Sequence, residues 1–298
     1  MSKLLQTAVI GAKGGEGKTM LASSLGKVAR SRVLADCDVT MPNLHLLLNP
    51  NVRSEGVFLS DKNAMLNMRL CNQCGDCFRA CRFGAVREGD VPEGWLYSID
   101  SLACEGCGVC VRVCPQGALD LATSPGGAWY VADSSLGPLV YATLAPGQRN
   151  PTGLVRIVRR EAQRVANREG LTIIVIDGPA GSGAPATAAI AGVGLAVVVA
   201  EPTVSRAHGL GGLLDLAQRH AGTTVGVINK YDIDLQTSGE IQDMFESRGV
   251  SLVGKIPFSP DLRRAYARGE FAVDLVDDPA GKEVRAIVDR IHALSQIS

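Results

Sequence analysis

Eight of the nine cysteines fall in two copies of one spacing: Cys71, Cys74, Cys77 and Cys81, then Cys104, Cys107, Cys110 and Cys114, the last followed by Pro115. Each copy reads C-x2-C-x2-C-x3-C. Three thiolates on a tight loop can hold three corners of an iron–sulfur cube, and the fourth cysteine, opening a helix, points away to a second cube. The spacing therefore predicts two [4Fe–4S] clusters. One is held by Cys71, Cys74, Cys77 and Cys114, the other by Cys104, Cys107, Cys110 and Cys81. Gly75, Gly106 and Gly108 let the backbone turn close to sulfur, where amide N–H groups can hydrogen-bond to it. Zinc sites normally pair two C-x2-C knuckles over a longer gap and have no use for a triple run. Cys37 stands outside the pattern and reads as a small core residue of a buried strand.

A second constellation opens the chain. Leu5–Ile10 reads as a strand, followed by Gly11-Ala12-Lys13-Gly14-Gly15-Glu16-Gly17-Lys18-Thr19-Met20 and a helix to about Arg30. Strand, glycine-rich loop and helix are what a phosphate-binding loop requires. Consecutive backbone N–H groups curl around phosphate oxygens, and the helix N-terminus adds positive partial charge. Lys18 is expected to reach the β- and γ-phosphates and the Thr19 hydroxyl to bind Mg²⁺. Gly14, Gly15, Glu16, Gly17 and Met20 complete the nucleotide-binding stretch.

Other buried strands end in polar residues. Val33–Ala35 runs into Asp36-Cys37-Asp38, and Ile173–Ile176 into Asp177-Gly178-Pro179-Ala180-Gly181. Val225–Ile228 runs into Asn229-Lys230-Tyr231-Asp232, and Leu252–Ile256 into Pro257-Phe258. Helical stretches at Gly153–Arg168, Ala207–His220 and Glu240–Arg248 alternate with them. That order predicts an α/β fold, a doubly wound parallel sheet with its ligands at the strand C-termini.

The early Lys13 in the KGGxGKT loop resembles the deviant Walker A motif of the MinD/ParA/nitrogenase-iron-protein superfamily of P-loop ATPases. The resemblance implies ATP hydrolysis with Mg²⁺, turnover that is slow or partner-stimulated, and a dimer in which Lys13 reaches the partner's nucleotide. It implies that Asp38 orients the attacking water near Mg²⁺, that Asp177 holds the magnesium shell, and that the Gly181 N–H faces the γ-phosphate. Asn229 is expected to read adenine, with Lys230 and Pro257 beside the base. GTPases use Asn-Lys-x-Asp to select guanine, so the resemblance alone favours ATP. Two departures stand out: Ala12 replaces the usual first glycine, and Glu16 brings a negative charge near the phosphates. His45 and His208 read as packed or switch-linked residues.

The cysteine segment, about Asn67 to Ala122, resembles bacterial two-cluster ferredoxins, with Arg82 where that family usually has proline. Residues 1–60 and 125–298 are thus expected to form a discontinuous ATPase domain, and 61–124 an inserted small α+β ferredoxin-like domain. Asp90 to Ile99 is expected to form a hairpin, with Trp95 and Tyr97 packing near the clusters.

Composition narrows the function. With 30 Lys+Arg against 30 Asp+Glu there is no basic surplus to grip nucleic acid or an anionic membrane. Aromatic residues are only 4% of the chain, too few for base-stacking platforms. The longest apolar run, Ala188 to Ala200, is shorter than the roughly 20 residues of a spanning helix and reads as a helix end followed by a buried strand. The C-terminal segment from Gly281 carries mixed charge and reads as a packed surface helix. A cytoplasmic location is expected, where cysteine clusters hold metal. The main functional reading is a MgATP-dependent dimeric switch that gates electron delivery to a redox partner. The alternatives are a metallocofactor-assembly scaffold acting on a client protein, and a MinD/ParA-like spatial organiser with redox-sensing clusters. The dimer is either a homodimer or a heterodimer with a related paralogue.

Overall fold

The computed structural model of the chain describes residues 4–89, 96–148, 150–203 and 207–297. β1 (Leu5–Gly11) leads through the glycine loop into α1 (Lys18–Val28), followed by β2 (Arg32–Asp36) and α2 (Leu44–Leu48). Next come the long strand β3 (Asn51–Leu66), α3 (Asp76–Ala80), β4 (Val86–Glu88), β5 (Tyr97–Ile99), α4 (Val109–Val113) and a second long strand, β6 (Leu119–Ser134). The chain continues with β7 (Gly137–Leu144), α5 (Pro151–Glu169), β8 (Ile173–Ala180), α6 (Ala184–Ile190), β9 (Leu195–Ala200) and α7 (Ala207–His220). It closes with β10 (Thr223–Asn229), α8 (Leu235–Ser247), β11 (Ser251–Ile256), α9 (Pro260–Ala267) and α10 (Pro279–Ile297).

Among the described residues the main sheet runs β11-β10-β9-β1-β8-β2-β7-β6-β3. β1 lies parallel to both β8 and β9, with Thr7 opposite Val175 on one side and Leu195 on the other. Every residue of β9 is buried, as its unbroken aliphatic run demands of a strand covered on both faces. Two residues, Ser135 and Leu136, join β6 to β7, a connection that only an antiparallel pair can use. The sheet is therefore mixed and mostly parallel. The strands expected from sequence, together with β7, which lies parallel to β2, form its parallel part; no sequence signal marks β7, β6 and β3, which extend the sheet beyond β2.

The chain folds as two compact units. The first comprises Met1–Gly56, Trp129–Thr143 and Pro151–Ser298; the second comprises Val57–Ala128 and Leu144–Asn150. The divisions fall inside β3 and β6, at 57 and 128 rather than at 61 and 124, and the second unit also takes residues 144–150.

In the first unit, Leu21 and Leu25 of α1 share a core with Val175, Val197 and Val227 of the central strands. Val284, Ile287 and Ile291 of α10 complete that core, so the C-terminal helix is packed onto the sheet. No helix among the described residues is long and apolar enough to cross a membrane. Among the described residues the core cluster of the second unit is small, with Ala64, Cys77, Val86, Tyr97 and Leu119 as its buried members; Phe58, Ala85 and Ala118 are buried as well. β4 and β5 pair antiparallel, with Val86 opposite Ile99, and the Tyr97 ring tilts against Phe78 at 5.8 Å. Trp95 and the side chain of His208 lie outside the described residues.

Close packing makes a test of the first unit. A Cβ added to Gly226 on β10 would meet the Phe245 ring at 2.7 Å, and Phe245 is fully buried. Gly226→Ala is expected to cost about 1–3 kcal/mol, read as a lower urea midpoint. Gly239→Ala in α8, where an added Cβ meets nothing within 4 Å, is expected to gain up to about 1 kcal/mol.

Candidate functional site

The C-terminal ends of β1, β2, β8 and β10 converge on the glycine loop. Gly15 and Gly17 adopt left-handed φ values of 82° and 93°. Gly17 has a second reason to lack a side chain: a Cβ there would fall 2.4 Å from Asn229 Nδ2. Beyond the loop lies an open cleft of about 390 Å³. Of the residues expected from sequence, Gly14, Gly15, Gly17, Lys18, Thr19, Met20, Asp38, Asn229 and Lys230 line it. Lys18 Nζ donates to the Lys13 carbonyl at 2.8 Å, which curls the loop around its own lysine. Asp38 accepts from the Thr40 hydroxyl at 2.9 Å and from the Met41 N–H at 3.3 Å, so its carboxylate is oriented at the rim.

Several expected residues sit elsewhere. Glu16 does not face the phosphate side. Its side chain is 1% exposed, and its Oε2 accepts the Lys13 N–H at 3.1 Å. The charge expected beside the phosphates therefore braces the loop from behind. Ala12 is accommodated, its methyl meeting the space above Gly209. The Gly181 N–H, expected to face phosphate, donates to the Gly11 carbonyl at 2.9 Å. Asn229 Nδ2 donates to the Glu16 carbonyl at 2.9 Å, and Lys230 Nζ reaches the Gly15 carbonyl at 3.4 Å and Glu201 at 3.2 Å. Asp232 accepts the Phe258 N–H at 2.7 Å, which ties down the chain just after Pro257. Lys13, Glu16, Asp177, Gly181 and Pro257 are not among the residues that line the cleft.

Asp36, two residues before Asp38, carries no expected role from sequence. It sits in register with Asp177 on the neighbouring strand, and both are buried. Asp36 Oδ2 accepts the Asn43 and Leu44 N–H groups at 3.0 Å each, fixing the start of α2, and Oδ1 accepts the Asp38 N–H at 3.1 Å. Burial, then the nearby Asp177 charge, pushes its carboxyl well above the ordinary range. Burial likewise pushes Asp177 up to about 7, against the pull of the Thr19 hydroxyl and the Lys18 charge. Both Asp177 oxygens are buried without a hydrogen-bond partner among the described residues. An orphaned carboxylate beside a threonine hydroxyl is a fitting donor set for a hydrated divalent cation such as Mg²⁺. α9 adds Leu262, Arg263 and Tyr266 to the cleft, which no sequence motif marks.

In the second unit four of the cysteines share one cavity. Cys81 joins Cys104, Cys107 and Cys110 around one cavity, walled by Ala64, Phe83, Val86 and Ile99 among others. Cys71 and Cys74 lie close enough to Cys77 to raise its thiol pKa, after burial, which dominates. Backbone N–H groups point at sulfur: Ala85 donates to Cys81 and Ala118 to Cys114 at 3.3 Å, and Ala64 donates to Cys104 at 3.4 Å. Gly106 is forced by close approach, since a Cβ there would fall 2.0 Å from the Lys62 carbonyl. Cysteines around a cavity with N–H donors to sulfur fit an iron–sulfur cube. Among the described residues no three His, Cys, Asp or Glu converge to hold a single ion.

Comparison with known proteins accords with both units. Residues 70–119 match the 4Fe-4S dicluster domain family. The chain is 31% identical over 206 residues to the uncharacterized protein MJ0578 of Methanocaldococcus jannaschii, covering 68% of this chain and 69% of that protein. Its fold is similar to the septum site-determining protein MinD of Pyrococcus horikoshii OT3, solved with Mg-ADP (TM-score 0.57, 16% identity, 98% of both chains covered). It is also similar to the ATP complex of a McdA variant from Cyanothece (TM-score 0.56, 14% identity, 98% of both chains). The chain belongs to the family of MJ0578, and it is a P-loop fold of the MinD/ParA type with a 4Fe–4S dicluster domain within its length.

Proposed function

We propose that this protein is a MgATP-binding and hydrolysing dimeric switch whose nucleotide state gates electron delivery from two [4Fe–4S] clusters to a partner protein. The observation that carries this reading is that one polypeptide holds both a P-loop cleft and a dicluster domain. Lys18 and the loop N–H groups bind the phosphates, Thr19 and Asp177 serve the Mg²⁺ shell, and Asp38 orients water. Lys13 completes the site of a second subunit. When bound, the clusters supply one-electron redox chemistry. Asp232 supports adenine over guanine, because the carboxylate that a guanine reader needs is engaged by the Phe258 N–H. The Gly181 N–H donates to the Gly11 carbonyl, so turning it toward phosphate breaks that bond. That exchange makes the Asp177–Gly181 loop the element through which nucleotide is sensed.

Four outcomes test the reading. Cluster midpoint potentials measured with and without MgATP are expected to differ by about 40–130 mV, the equivalent of a coupling of about 1–3 kcal/mol. Identical potentials in both states would remove the proposed gating. Lys18→Ala is expected to weaken MgATP binding by roughly 10- to 100-fold, the worth of one charged hydrogen bond. Asp38→Asn is expected to keep binding and slow hydrolysis by about 10²- to 10⁴-fold.

The fourth outcome concerns pH. Asp177 is held at about 7 in the folded protein, above its unfolded value of 3.8. A carboxyl raised on folding favours the protonated fold, so the nucleotide-free protein loses stability as pH climbs from the unfolded value through about 7. Urea midpoints taken at about pH 6 and about pH 8 should show that loss, and Asp177→Asn should flatten the slope. Mg²⁺ needs the ionised form, so MgATP affinity should rise over the same window.

A further inference from the structure

We infer that the cysteine set Cys71, Cys74, Cys77 and Cys114 faces a docking surface for an acidic redox protein, one that presents carboxylates around its own exposed one-electron cofactor. The inference rests on the electron-delivery reading above. A chain neighbour of a ligand stays within a few ångströms of it, since consecutive Cα atoms are about 3.8 Å apart. Three of these four ligands have a large apolar neighbour turned to solvent. Leu70 precedes Cys71, Phe78 follows Cys77 and Val113 precedes Cys114, and they are 52%, 39% and 39% exposed. Cys74 is itself exposed. Apolar side chains kept at the surface around one site mark a place where another molecule binds.

Charge identifies the partner. Arg69 and Arg112 each stand two residues from a ligand of this set, both are exposed, and neither forms an ion pair among the described residues. The other set is built differently. Ala103, Gly106, Gly108, Val109 and Val111, beside its ligands, are small or half-buried, and the charged residue that lines its cavity is the acidic Glu105. Its basic neighbours are Arg82, which lies over the Phe83 ring at 4.8 Å, Arg79, which is paired with Asp76, and Arg112, which stands two residues from Cys110 as well as from Cys114; Arg69 belongs to the first set alone. Unpaired positive charge and exposed apolar surface therefore flank the first set. Such a rim steers an acidic partner inward and repels a basic one.

In the transfer itself one electron leaves the reduced dicluster unit and enters the oxidised cofactor of the partner. No proton or group moves. The experiment uses the full chain, anaerobically reduced and freed of reductant, without nucleotide. Its oxidation is followed by stopped flow with two probes: oxidised flavodoxin, which is acidic, and ferric cytochrome c, which is basic. Raising ionic strength from about 0.01 M to about 0.15 M shortens the screening length from about 30 Å to about 8 Å. The flavodoxin rate constant is expected to fall at least about tenfold over that range. The pair Arg69→Glu and Arg112→Glu is expected to lower the low-salt flavodoxin rate by a similar factor, while the EPR signals of the reduced clusters stay unchanged.

A flavodoxin rate indifferent to salt and to the charge reversal overturns the proposal. So does a cytochrome c rate that behaves as expected for flavodoxin. A charge-reversed protein that changes its oligomeric state but not its rate assigns the surface to a second copy of this chain instead. Cluster potentials that ignore MgATP defeat the gating reading alone, because this experiment contains no nucleotide.

Discussion

A carboxylate buried without a partner is among the most expensive groups a protein can keep, and the first unit is organised around one. Asp177 lies within β8, a strand covered on both faces, so its oxygens point into the protein rather than into water. Lys18 is nearby, but its ammonium donates to the Lys13 carbonyl. Protonation would relieve Asp177, and a bound cation would relieve it more completely. Asp36, in register beside it, has already spent its oxygens on three backbone N–H groups. Of two adjacent buried acids, one is structural and the other is left to meet a ligand.

The loop that would hold the phosphates is braced from the opposite side by a polar network. The Glu16 carboxylate, the Asn229 amide and the Lys230 ammonium all bond to loop backbone, and Glu201 pairs with Lys230. These bonds occupy carbonyls and the Lys13 N–H, and the remaining loop N–H groups are the ones a phosphate needs. Preorganisation of this kind lowers the ordering cost of binding. It also explains the glutamate where a small residue is usual: turned inward, its charge acts on the backbone rather than against the triphosphate.

How far the sequence reading reached follows from how local each signal is. The glycine loop and the cysteine spacing lie within about ten residues, so chain geometry alone fixes what they can form. The parallel strands announced themselves by unbroken aliphatic runs. β3 gave no such sign: Val57, Leu59 and Met65 on it are more than half exposed, so apolar and polar positions do not sort by face. Gly181 and Asn229 were read from motif position, which shows that a group is near the site but not which way its N–H or amide is turned. Tyr266 and Arg263 reach the cleft from a helix with no motif, where only tertiary structure can place them.

The second unit reverses the usual relation between fold and cofactor. Its buried apolar set is so small that the packing of the unit cannot be separated from what the cysteines hold. The exchanged fourth cysteines matter here. Because Cys81, at the end of α3, shares a cavity with Cys104, Cys107 and Cys110, a group held there would tie α3 to α4 and its loop. A unit stitched in this way would carry a change at one end of that cavity to the backbone at the other, the mechanical property the proposed switch asks of its electron-carrying part.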